Sequence, residues 1–100
     1  MRTWEMPKLN LQGSDKQIKW ATDIIACVYT TANNNIKRAH DKQWPHADKW
    51  EEAFDKIISQ LESNVLAKID QAGVIITHRE KFSSGRILYL AENYVNCGKF

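Results

Sequence analysis

From residue 18 onward, apolar side chains recur at alternating steps of three and four: Ile18, Ala21, Ile25, Val28, Ala32 and Ile36. That spacing lines up one stripe of an α-helix, and Ile24 and Tyr29 widen the stripe. The stretch Gly13-Ser14-Asp15-Lys16-Gln17 supplies its start. The Ser14 side chain can accept from the amide three residues on, while Gln17 reaches back to the Ser14 amide in a capping box. These features predict a first helix over residues 14–39. Within it, Thr30-Thr31 and Asn33-Asn34-Asn35 are short polar side chains that compete for backbone hydrogen bonds, so the pattern predicts a bend or an early end there.

Residues 40–46 are polar and contain Pro45, which disfavours helix at Trp44 and suits the first turn of a new one. Trp50, Phe54, Ile57, Ile58, Leu61, Val65 and Ile69 then recur at helical spacing, predicting a second helix over 46–72 closed by Gly73. Val74-Ile75-Ile76-Thr77 is β-branched, and without a partner strand it reads as an extended link. Ser83 or Ser84 caps a third helix over 84–96, with Ile87, Leu88, Ala91, Tyr94 and Val95 facing inward and Gly98 near its end. The expected fold is therefore mainly α, one domain over 1–100. It is a small bundle of two long helices and a shorter C-terminal one, preceded by an extended arm over 1–12. Trp4, Met6, Leu9 and Leu11 make that arm too apolar to lie wholly in water.

Hydrophobic residues make up 43% of the chain and charged ones 26%, a balance that supports a folded core and excludes a disordered chain. The formal net charge is +2, too small to drive the whole molecule onto nucleic acid or an anionic membrane. Val74-Ile75-Ile76 falls far short of the roughly 20 apolar residues that span a bilayer. Met1 to Pro7 has no apolar stretch with a small-residue cleavage site, so the chain reads as cytoplasmic, with no membrane partner. In that compartment Cys27 and Cys97 are expected as free thiols.

Catalytic chemistry has no foothold. His40, His46, His78, Cys27 and Cys97 lack the paired close spacing of a zinc site, so neither a metal nor a cofactor is expected. His78-Arg79-Glu80 has a His-x-Glu spacing, but the Pro-Cys-x-x-Cys of the zinc deaminases does not follow. No Gly-x-Ser-x-Gly elbow or Gly-rich phosphate loop is present. The expectation is a protein that is not an enzyme.

Residues 11–24, from Leu11-Gln12-Gly13-Ser14 through Trp20-Ala21 to Ile24, resemble an opening that recurs in small uncharacterised bacterial, plasmid and phage proteins. In that group a Leu-x-Gly-Ser/Thr-x-Lys-Gln stretch precedes a Trp-Ala pair and a long helix. A second helix and a Trp-Trp-Ile-Asp-x-Arg segment follow. Here Val74-Ile75-Ile76-Thr77-His78-Arg79 corresponds to that segment, keeping Ile76 and Arg79 and lacking both tryptophans and the acid. The resemblance implies an accessory protein of a mobile element that binds host machinery, an anti-CRISPR or similar inhibitor of host defence being the concrete version.

Trp4 and Trp44 lie outside the main stripes, in the arm and the loop, and exposed tryptophans favour interfaces because they bury large area with few torsions to freeze. They are the candidate anchors for a host protein or a second copy of the chain; covering the ends of a thin bundle is the alternative use. Trp20 and Trp50 are expected in the core. Lys16 and Lys19 beside Trp20, together with Arg79, Lys81 and Arg86 beside His78 and Tyr89, form the alternative reading, a basic patch for nucleic acid or a nucleotide. A helix cap and a solvated surface account for the same cations, as they do for Lys37, Arg38, His40 and Lys42 at the end of the first helix.

Overall fold

The computed structural model describes residues 3–99 and is a mainly α bundle. Helix α1 spans Asp15–Asp41, α2 Ala47–Leu61, α3 Ala72–Thr77 and α4 Ser84–Cys97; a π-turn, Glu62–Leu66, continues α2, and a 3₁₀ turn, Arg79–Phe82, precedes α4. The long dimension of 44 Å is set by α1, whose 27 residues rise about 40 Å at the α-helical pitch. Helices α1, α2 and α4 pack against one another, and α3 lies against α1. The short α1–α2 loop makes those two antiparallel neighbours. Tyr94 near the end of α4 donates to Glu52 near the start of α2, so α4 is antiparallel to α2.

Helix α1 begins as its sequence dictates. The Ser14 hydroxyl accepts from the Gln17 amide at 3.2 Å, and the Gln17 side chain accepts from the Ser14 amide at 3.1 Å. Gly13 ahead of the cap is held at φ 146°, and a Cβ there would stand 2.9 Å from the Gln17 amide oxygen, so glycine is what lets the box close. The stripe Ala21, Ile25, Val28, Ala32 and Ile36 is fully buried, facing Phe54 and Ile58 of α2 and Ile87 and Ala91 of α4 in one core.

Several expectations are corrected. First, α1 does not stop at its polar run but continues to Asp41, because the run is used. Asn35 is buried and donates to the Thr31 carbonyl at 2.7 Å, and Asn33 accepts from the Trp4 amide at 2.8 Å and donates to the Trp4 carbonyl at 2.9 Å. Second, the second helix does not reach residue 72. The π-turn at Glu62–Leu66, made by the poor helix formers Ser63 and Asn64, ends it. Beyond, Gln12 of the arm donates to Asp70 and accepts from Ala72, a single parallel bridge that holds Gln71 extended. Gly73 therefore lies in the first turn of α3 and closes no helix. Third, Val74 to Thr77 is helix and not a link. Ala72 and Ile75 bury one face against α1, and with no strand to pair with, tertiary packing overrides β-propensity. Pro45 also precedes α2 by two residues instead of opening it.

The arm lies across the bundle. Trp4 is only 7% exposed, packs edge-on against Phe54 at 6.2 Å, and donates its indole N–H to Asp55 at 3.2 Å; Met6, Leu9 and Leu11 follow it onto the core. An aromatic row continues along α2, with Phe54 stacked on Trp50 at 6.1 Å and Trp50 meeting Trp44 edge-on at 5.8 Å. Among the described residues no helix is long and apolar enough to cross a membrane.

Two stability predictions follow from these contacts. Asn33→Ala strands the half-buried Trp4 peptide and should cost about 1–3 kcal/mol in urea unfolding, whereas the exposed neighbour Asn34→Ala should stay within about 0.5 kcal/mol. Tyr29 is buried and donates to Glu62 at 2.9 Å, and burial, then the bond to that carboxylate, raises its phenol well above the usual value. A raised phenol stabilises the fold fully below its unfolded value of about 10, and this stabilisation is lost as pH climbs above it. Tyr29→Phe should therefore cost about 1 kcal/mol near neutral pH, and its unfolding free energy should fall less steeply than that of the wild type above about pH 10.

Candidate partner-binding surfaces

The anchors expected from sequence exchange places in the structure. Trp4 is buried and is not an exposed anchor, because the arm folds back and Asn33 fixes its peptide on α1. Trp20, expected in the core, is 50% exposed: it sits one residue away from the buried Ala21, off the stripe of α1. Trp44 is half-buried at the other end of the bundle. Trp4 and Trp44 thus form no shared exposed face; what joins them is the aromatic row through Phe54 and Trp50, buried at Trp4 and Phe54 and half-buried at Trp50 and Trp44.

Of the basic residues, Arg79 of the 3₁₀ turn meets the start of α1, while Arg86 lies in the first turn of α4. Arg79 lies over the Trp20 ring with its guanidinium 5.5 Å from the centroid, and donates to the Ile76 carbonyl at 3.1 Å. This contact brings the start of α1, with exposed Lys16 and Lys19, beside the cations of the 3₁₀ turn. Lys19 is partly neutralised by Asp23 at 3.3 Å, both largely exposed, so the pair adds little stability. Ser83 caps α4 by accepting from the Arg86 amide, and Arg86 lies 5.8 Å from the ring centroid of Tyr89, which is 56% exposed. Each arginine therefore carries an exposed aromatic ring beside it, an arrangement worth about 0.5–1 kcal/mol per pair at an exposed site.

Beside these cations an apolar groove of about 270 Å³ opens between the end of α2 and the start of α4. Val28, Ile57, Leu61, Phe82, Ile87 and Leu90 give it apolar walls, and Lys81 is the one charged residue among those lining it. Sequence periodicity placed Ile57, Leu61 and Ile87 on inward faces. The groove itself was not legible, since it arises from the π-turn and the 3₁₀ turn, neither of which the spacing announces.

The second surface surrounds Trp44. Helix α1 ends with Trp44 donating to the Ala39 carbonyl at 2.9 Å and Gln43 to that of His40 at 3.4 Å, the two bonds of a Schellman closure. Gln43, at φ 52°, occupies the left-handed position where glycine is usual, and His46, at φ 62°, is left-handed as well. Two strained residues thus bracket Trp44-Pro45 and fix the indole against Trp50. A cleft of about 570 Å³ lies between this loop and α4, bordered by both tryptophans, Asn35, Leu88, Glu92 and Val95.

Among the described residues no three His, Cys, Asp or Glu side chains gather where they could hold a metal ion, and both cysteines are free. No protein-family model, curated protein or solved structure matches the chain.

The Schellman position gives a direct test of the loop geometry. Gln43→Gly removes a left-handed penalty of about 1 kcal/mol, partly offset by the freer unfolded chain. It should raise the thermal midpoint by a few degrees while leaving the Trp44 indole resonance in place.

Proposed function

We propose that this chain is a non-enzymatic binding module of a phage or other mobile element, acting in the host cytoplasm, where it holds a host protein. The single observation that carries this reading is the surface around the 3₁₀ turn. Two exposed aromatic rings, Trp20 and Tyr89, each sit beside an arginine, and an apolar groove rimmed by Lys81 opens next to them. Aromatic and arginine side chains are the residues that dominate binding energy at protein interfaces, and a groove accepts a partner's apolar side chain that nucleic acid does not offer. The partner this fits presents an apolar side chain flanked by carboxylates. The opening at residues 11–24 supports the mobile-element context, with inhibition of host defence, anti-CRISPR in kind, as its concrete form.

The alternative is a nucleic-acid or nucleotide-binding protein using Lys16, Lys19, Arg79, Lys81 and Arg86. The observation in its favour is the same pair of arginine–aromatic contacts, which stack bases in single-strand binders. The two readings part over Leu90 and over salt. In pull-downs from a bacterial lysate, the protein reading predicts a defined protein recovered with or without nuclease, held through high salt, and lost with Leu90→Asp or with Arg79→Glu/Arg86→Glu. Recovery confined to the untreated lysate, released by moderate salt and indifferent to Leu90→Asp, would transfer the function to nucleic acid, where phosphate contacts weaken steeply as salt rises.

A further inference from the structure

We infer that the cleft between the Trp44 loop and α4 is a binding site for an alkylated ammonium group, a quaternary one above all. It lies toward the C-terminal end of α4, away from Arg86 in the first turn, and it stands or falls independently of the host-protein reading. Three observations carry it. The first is aromatic: Trp44 and Trp50 border the cleft with their rings 5.8 Å apart and inclined at 61°, so two π-systems meet at a corner. A cation over an indole face is attracted by the ring quadrupole, and tryptophan is the strongest of the aromatic side chains in this respect.

The second observation is charge. Glu92 borders the cleft as an exposed carboxylate, and among the described residues lining it there is no lysine or arginine, His46 being the one basic side chain. An ammonium group in the cleft has a carboxylate and two indoles among its neighbours. Leu88 and Val95 supply the apolar contact that N-methyl or N-methylene groups require. The third is rigidity. The left-handed Gln43 and His46 and the Trp44-to-Ala39 hydrogen bond hold the loop in place, so the walls need not be ordered when a ligand arrives.

Two sources offer this chemistry, a free quaternary amine and a trimethylated lysine side chain of a protein. The test is an NMR titration of the full ¹⁵N-labelled chain, following the indole N–H signals. The probes are choline, a short trimethyllysine peptide, and 3,3-dimethylbutan-1-ol, the uncharged isostere of choline. The expected result is a saturable shift of the Trp44 and Trp50 signals with at least one cationic probe, Trp20 unmoved, and the isostere roughly tenfold weaker. The tighter cationic probe identifies the source. Glu92→Gln, at an exposed position, should weaken the cation roughly threefold and leave the isostere unchanged. Trp44→Leu should abolish the shift. Equal binding of choline and its isostere, absence of a saturable shift with either cation, or indifference to both substitutions would overturn the assignment.

Discussion

The side chain of Asn33 accepts from the amide of Trp4 and donates to its carbonyl, treating an arm peptide as a neighbouring strand would. Residue 33 lies in the middle of α1, so the grip holds the arm across the bundle and delivers the Trp4 indole to Phe54 and Asp55 on α2. Further along, Gln12 bridges to the segment around Gln71, and that bridge sets where α2's continuation ends and α3 begins. The arm thereby closes a core that three helices alone would leave open over Phe54. In a domain of this size each large apolar side chain carries an appreciable share of the stability.

The parts of the fold that follow helical periodicity were legible in the sequence: the Ser14 capping box, the buried stripe of α1, the inward residues of α2 and the Ser83 cap of α4. The errors came where a long-range partner decided the local structure. Asn33 read as a helix breaker because its value lies in bonds to the distant Trp4, whereas Asn35 bonds within α1, to the Thr31 carbonyl one turn back. Val74 to Thr77 read as extended because β-branched residues suit strands, whereas packing against α1 made them helical. Trp4 takes the second of its two expected uses, covering the bundle, a choice made by distant partners on α1 and α2. Trp20 could have been placed correctly, because it falls outside the Ile18, Ala21, Ile25 stripe; the pull of its size toward the core overrode its position.

Trp4 is buried against Phe54, with its indole N–H donated to Asp55. The chain retains two surfaces with different chemistry: cations paired with exposed aromatic rings beside an apolar groove, and an indole corner faced by a carboxylate. Lys16 and Lys19 come beside the 3₁₀ turn because Arg79 of that turn lies on Trp20 of α1. Fold and candidate function thus meet in short elements that hydrophobic periodicity does not announce.

Native-state hydrogen exchange at the Trp4 amide tests the central claim, that the arm is an integral wall of the core. The account predicts that this amide, donated to Asn33, opens only with the whole molecule, with a free energy equal to that of core amides such as those of Ile25 and Phe54 and to the global value from urea unfolding. A Trp4 amide that exchanges orders of magnitude faster while Ile25 and Phe54 remain protected would contradict it. The arm would then be a detachable segment, and Trp4 would again be available to a partner.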